Sequence, residues 1–169
     1  MILRIGICDD TQTDIIHLEK HIKHYMASYN IEFEIESFRS GATLLQAQKE
    51  QTFHILLLDI EMPEINGMMI ARYLRDELYD DVFIVFVTSY PQYMQESFDV
   101  QPFQFLTKPV SYTRIENSFR HSVATSMLNN GAELTDIAQT LGHATPESTQ
   151  VYVSLNTEML RRCALEVLL

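Results

Sequence analysis

The chain is short of bases. Its 169 residues include 12 Lys and Arg against 23 Asp and Glu, a formal net charge of −11 with a pI near 4.8. A broad nucleic-acid surface needs clustered cations over the phosphates, so this balance argues against one and against direct DNA binding. Cysteine is equally scarce. Cys8 and Cys163 stand far apart in sequence and form neither a metal-ligand pair nor a disulfide framework, which fits a reducing cytoplasm. No apolar run approaches the roughly 18 residues of a membrane helix. The opening MILRIGICDD turns acidic before the apolar segment of a leader could develop, so a cytoplasmic protein without membrane partners is expected. There is no internal repeat, low-complexity run or Gly/Ser linker.

Hydrophobic residues make up 46% of the chain, enough for a globular core and too many for disorder. The acidity is uneven. Residues 1–118 hold 18 acids and 9 bases, and residues 119–169 hold 5 acids and 3 bases.

The first part alternates strand and helix signals. Ile2 to Cys8 is a short apolar run closed by Asp9 and Asp10, and Thr11 to Tyr29 has helical spacing through Ile15, Ile16, Leu18, Ile22 and Tyr25. Ile31 to Phe38 alternates apolar and acidic residues, as a strand with one wet face does at a sheet edge. Ser40 can cap a helix through Leu44 and Leu45. Phe53 to Leu58 is continuously apolar, the mark of a central parallel strand covered on both faces. A helix over Met68 to Leu78, a strand over Val82 to Val87, a short helix near Tyr93 to Phe98, a strand over Gln104 to Thr107 and a helix from about Ser111 follow. Such alternation predicts a parallel α/β sheet. From Arg120 onward the pattern is helical only, interrupted at Gly131, with apolar stripes at Leu134, Ile137, Ala138 and Leu141 and over Met159 to Leu169. Any boundary falls inside the helix spanning about Ser111 to Leu128.

In an open parallel sheet, functional groups collect at the carboxyl ends of the strands. Here those ends carry Asp9 and Asp10, Asp59, Thr88 and Lys108. Three gathered carboxylates repel one another unless a divalent cation or an ammonium offsets them. Mg²⁺ suits that need, because it takes oxygen ligands and retains several waters. A carboxylate beside such an ion can act as a nucleophile toward a phosphoryl group. Taken singly, each residue has a plainer reading: Asp9 and Asp10 as helix caps, Asp59 as a loop cap, Lys108 as a solvated surface residue, Phe105 as core and Cys8 as a small buried hydrophobe.

The motifs ICDD, ILLLDIEMPEINGM, VFVTS and FLTKP occur in an order that resembles the receiver domain of two-component response regulators, over about residues 1–118. The resemblance implies a flavodoxin-like (βα)5 fold with strand order 2-1-3-4-5. It implies Asp59 as phosphoacceptor for a sensor histidine kinase. Asp10, Asp9 and Asp59, with the backbone carbonyl of Glu61, would hold Mg²⁺. Thr88, Phe105 and Lys108 would be the switch hydroxyl, switch aromatic and partner lysine. The stretch SFDVQPFQFLTKPV is most similar to receivers that precede LytTR-type DNA-binding domains.

The remainder, residues 119–169, reads as a small all-α segment. From about Arg120 the sequence resembles the C-terminal end of tyrosine recombinases of the phage-integrase family, in an Arg-His pair, a GAELTDIAQTLGH helix pair and a tyrosine nine residues beyond the histidine. That resemblance assigns Arg120 to the scissile phosphate, His143 to phosphate binding or proton donation, and Tyr152 to nucleophilic attack. The pattern is incomplete. The histidine expected three residues before Arg120 is Asn117, and the first catalytic arginine and the hairpin lysine have no counterpart. Losing one such stabiliser costs about 10²–10³ in rate, so an inactive fragment is expected, with His143 and Tyr152 as packing residues. Leu134, Ile137, Leu141, Val151, Leu160 and Leu165 would lack the partners of a full recombinase domain. Burial is worth roughly 1.5–3 kcal/mol for a side chain of this size, so a homodimer, by exchange of tails, is expected.

Overall fold

The computed structural model describes residues 2–28, 31–78 and 82–129. By its internal contacts the chain divides after Ser118, and the sheet belongs to the first unit. Five strands are described: β1 (Leu3–Cys8), β2 (Phe33–Phe38), β3 (Ile55–Leu58), β4 (Phe83–Thr88) and β5 (Gln104–Thr107). They form one sheet in the order β2-β1-β3-β4-β5, and every neighbouring pair is parallel. The helices are α1 (Gln12–Ser28), α2 (Gly41–Glu50), α3 (Gly67–Asp76), α4 (Met94–Ser97) and α5 (Tyr112–Asn129). This is the flavodoxin-like arrangement expected from the sequence.

Burial follows the residue pattern. All four residues of β3 are buried, as are the last five of β4, so both faces of the sheet centre are covered. Along β2, Glu34 and Glu36 are exposed between half-buried Phe33 and Ile35, as expected of an edge. Ser40 caps α2, its hydroxyl accepting from the Thr43 N–H at 3.4 Å, and Asn66 caps α3 by accepting from the Met69 N–H at 2.9 Å.

Three details differ from the sequence reading. In α1, Ile16 is 57% exposed, because Ile15, Leu18, Ile22, Tyr25 and Met26 already fill the inward stripe and Ile16 falls a third of a turn outside it. The segment near Tyr93 is a single turn of α-helix, Met94–Ser97, between the 3-10 turns Pro91–Tyr93 and Phe98–Val100. Strand β2 begins at Phe33, two residues later than its alternation suggested. Cys163 and the expected tail elements (the stripe from Leu134 to Leu141, Val151, the helix from Met159) lie outside the described residues.

Candidate functional site

The sheet register brings the acids together. Cys8 pairs with Leu58, so Asp9 and Asp59 leave adjacent strands side by side, and the Asp59 N–H donates to the Cys8 carbonyl at 2.9 Å. Thr88 pairs with Thr107, and the Lys108 N–H donates to the Thr88 carbonyl at 2.8 Å. Four strand ends thus open onto one place.

Lys108 lies at its centre. Its ammonium donates to Asp9 Oδ2 at 2.6 Å and Asp59 Oδ2 at 2.8 Å, and pairs with Asp14 Oδ2 at 2.7 Å. The side chains of Lys108, Asp9 and Asp59 are 13%, 1% and 8% exposed, so this charge cluster is largely desolvated. Burial alone would lower the lysine pKa. The hydrogen bonds to Asp14, Asp59 and Asp9 outweigh it and leave the ammonium above its ordinary range. Asp9 is pushed up by burial, against the opposing pull of Lys108 and of the Thr11 N–H, which donates to its Oδ1 at 2.9 Å. Asp9 therefore also makes the Asx-type turn that precedes α1, and the helix-cap reading and the pocket reading hold together. Burial, then the charges of Asp9, Asp59 and Asp10, push the Cys8 thiol up to about 12, so Cys8 is a neutral S–H facing Met62 Sδ at 3.6 Å.

Asp59 Oδ1 is buried and has no hydrogen-bond partner. One oxygen each of Asp9, Asp10 and Asp59 lies within 4.8 Å of the others, close enough to share an ion. An unpartnered buried carboxylate oxygen beside two further carboxylates is a hard, all-oxygen donor set, and it fits Mg²⁺. The approach to this point is set by Gly67. A Cβ there would sit 2.2 Å from the Asp59 carbonyl oxygen, so only glycine lets α3 start so close to β3.

Thr88 is fully buried, and its Oγ1 accepts from the Tyr90 N–H at 3.3 Å. Phe105 is half-buried on the core cluster, its ring centroid 6.2 Å from that of Phe86. Glu61 is exposed, and its carboxylate accepts from the Tyr93 hydroxyl. Two contributors were absent from the sequence-based set. Asp14 stands four residues after Asp10, one turn into α1, and that spacing was a usable signal. Arg39, which donates to the Asp10 carbonyl at 2.7 Å, carried no such signal. Of the recombinase-like residues, Arg120 lies half-buried on α5. His143 and Tyr152 lie outside the described residues.

Fold and site together define a flavodoxin-like α/β protein with an acidic, lysine-bridged pocket at the carboxyl edge of its sheet. The chain belongs to the response regulator receiver domain family, whose model matches residues 5–120. A second model, the phage integrase family, matches residues 106–159. Among curated relatives, the sensory transduction protein LytT of Oceanobacillus iheyensis is 36% identical over 93 residues, 53% of this chain and 38% of that protein. The transcriptional regulatory protein NatR of Bacillus subtilis is 28% identical over 117 residues, 69% of this chain and 48% of that protein. The aligned part is thus less than half the length of these relatives. The response regulatory domain of protein mrkE from Klebsiella pneumoniae has a TM-score of 0.64 at 24% identity, over 72% of this chain and 95% of that one. The receiver domain of AraT from Geobacillus stearothermophilus has a TM-score of 0.67 at 21% identity, over 77% and 99%. These two likenesses concern the fold. No helix among the described residues is long and apolar enough to cross a membrane.

Proposed function

We propose that the chain is a phosphorelay switch in which Asp59 accepts a phosphoryl group from a phosphohistidine of a sensor histidine kinase. The observation that carries this reading is the asymmetry of the Asp59 carboxylate: Oδ2 is held by Lys108, while buried Oδ1 has no partner. A carboxylate so fixed presents one oxygen lone pair with little freedom to turn away. The Asp59 oxygen forms a bond to phosphorus as the P–N bond to the donor imidazole breaks. The electron pair returns to that nitrogen, which takes up a proton. Lys108 offsets the charge of both the acceptor and the arriving phosphoryl oxygens. Asp9, Asp10, Asp59 and the carbonyl of Glu61 would hold Mg²⁺, whose charge stabilises the phosphoryl oxygens. The result is a switch, as receivers in general are, and not a turnover enzyme.

Modification replaces the single carboxylate charge with a phosphoryl group of about two negative charges at a desolvated point. Thr88, two residues past Phe86, the register partner of Leu58, supplies a hydroxyl for the new oxygens, and Phe105 reports the change at the sheet edge. Exposed Tyr90, Met94 and Phe98, the last at 69%, give the adjoining face an apolar surface suited to a homodimer. Incubation with a small phosphodonor and Mg²⁺ should add one phosphoryl group by intact mass, lost in Asp59→Asn. Full labelling of that variant would refute the assignment. With beryllofluoride and Mg²⁺, amide shifts at Thr88 and Phe105 should move, and unmoved shifts would refute the switch.

The match to the phage integrase family supports a second reading, DNA strand exchange through Arg120, His143 and Tyr152. Asn117 in place of histidine and only three bases in residues 119–169 weigh against it. A covalent adduct of Tyr152 with nicked DNA would reverse that judgement.

A further inference from the structure

Helix α1 carries His17, His21 and His24 at spacings of four and three, which places them along one face. His17 Nε2 lies 3.0 Å from the carbonyl oxygen of Val110 and 3.0 Å from His21 Nε2. The two rings meet edge-on, with centroids 4.3 Å apart and planes at 87°, so nitrogens converge rather than faces. Tyr112 packs against the rings of both His21 and His24, at 5.6 and 4.9 Å, and limits how far His21 can swing away.

Protons serve this trio poorly. A carbonyl only accepts, so His17 Nε2 must carry its hydrogen toward Val110. That nitrogen then has no lone pair left for His21, and its single hydrogen is shared between two acceptors. A cation serves all three atoms at once. Metal–nitrogen bonds of about 2.1 Å place neighbouring ligands roughly 3.0–3.4 Å apart for angles between octahedral and tetrahedral, which is the spacing from His17 Nε2 to each of its two neighbours. Imidazole nitrogens select zinc, copper or nickel, whereas hard Mg²⁺ prefers the all-oxygen pocket.

We propose that His17 Nε2, His21 Nε2 and the Val110 carbonyl oxygen form a site for a divalent transition ion of the zinc class, water completing the shell. The ion would tie α1 to the segment that follows Lys108. His17 and Val110 also line a cavity of about 300 Å³ with Thr13, Asp14 and Lys108, which gives those waters room.

The test uses the full chain with Mg²⁺ saturating the carboxylate pocket. Calorimetric titration with zinc chloride should show one equivalent bound. His17→Gln and His21→Gln should each weaken it by more than the roughly 10–100-fold that a lost supporting contact costs. Asp59→Asn and His143→Gln, which address the carboxylate pocket and the tail, should leave it within about twofold. Zinc binding unchanged in both α1 variants, or abolished by Asp59→Asn, overturns the site. Because a variant could bind less by misfolding, Cu²⁺ spin resonance supplies a second readout. Hyperfine structure from two imidazole nitrogens should appear in the native chain and from one in each single variant. A native spectrum without nitrogen coupling overturns the proposal.

Discussion

Replacing Lys108 with methionine tests the electrostatics of the pocket directly. The substitution retains much of the apolar stem and removes the ammonium that bridges Asp9, Asp59 and Asp14. Asp9 and Asp59 are almost entirely out of solvent, so their charges cannot be rehydrated without opening the site. Breaking a buried pair by deleting one partner costs about 3–5 kcal/mol. Asp14, 38% exposed, adds little, since water screens it already. Lys108→Met should therefore lower stability by about 3–5 kcal/mol in urea denaturation without divalent cations. Mg²⁺ should then stabilise the variant more than the native chain, because Lys108 no longer competes for the same oxygens. At a concentration a hundredfold above its Kd the ion contributes about 2.7 kcal/mol. A variant within 1 kcal/mol of the native chain in chelator-treated buffer, or one indifferent to Mg²⁺, would show that the carboxylates are not held charged together.

Gly67→Ala brings a methyl within 2.2 Å of the Asp59 carbonyl oxygen, where contacts under 3.0 Å essentially never occur, so backbone must retreat. A loss of about 1–3 kcal/mol by urea denaturation is expected, together with roughly 10²-fold slower phosphorylation if Asp59 moves by about 1 Å. Leu56→Ala, in the fully buried β3, should cost about 2–5 kcal/mol in the same assay. A Cβ on Gly6 would meet Leu56 Cδ2 at 2.5 Å, so Gly6→Ala combined with Leu56→Ala should be less unstable than the sum of the two, by about 0.5–3 kcal/mol. His54 Nδ1 accepts the Arg4 N–H at 3.0 Å, and burial, then the nearby Arg4 charge, lowers its pKa from the ordinary 6.5. The unfolded chain thus binds that proton more readily, so stability is full above pH 6.5 and declines as pH falls from there toward the lowered folded value. Denaturation across that window should show the decline, flattened in His54→Gln.

The strands were legible because β1, β3 and β4 are near-continuous apolar runs ended by polar residues, a pattern that only a doubly covered sheet explains. The acids were legible for the same reason: a charge at the end of such a run has few places to go. Asp14 was less visible because it sits inside a helix whose other acid, Glu19, pairs locally with Lys23 at 2.7 Å. Arg39 acts through a backbone carbonyl contact that no side-chain pattern encodes. The segment from Pro91 to Val100 resisted assignment because it changes helix type twice within ten residues, too briefly for any period to establish itself.

The sheet leaves β2 on its outer rim, where backbone groups could recruit a strand from another molecule. Glu34 and Glu36 stand exposed along that rim, and a copy docking in register would set carboxylate against carboxylate. The rim thus discourages strand pairing with a second copy of itself, a charge-based guard against edge-to-edge aggregation.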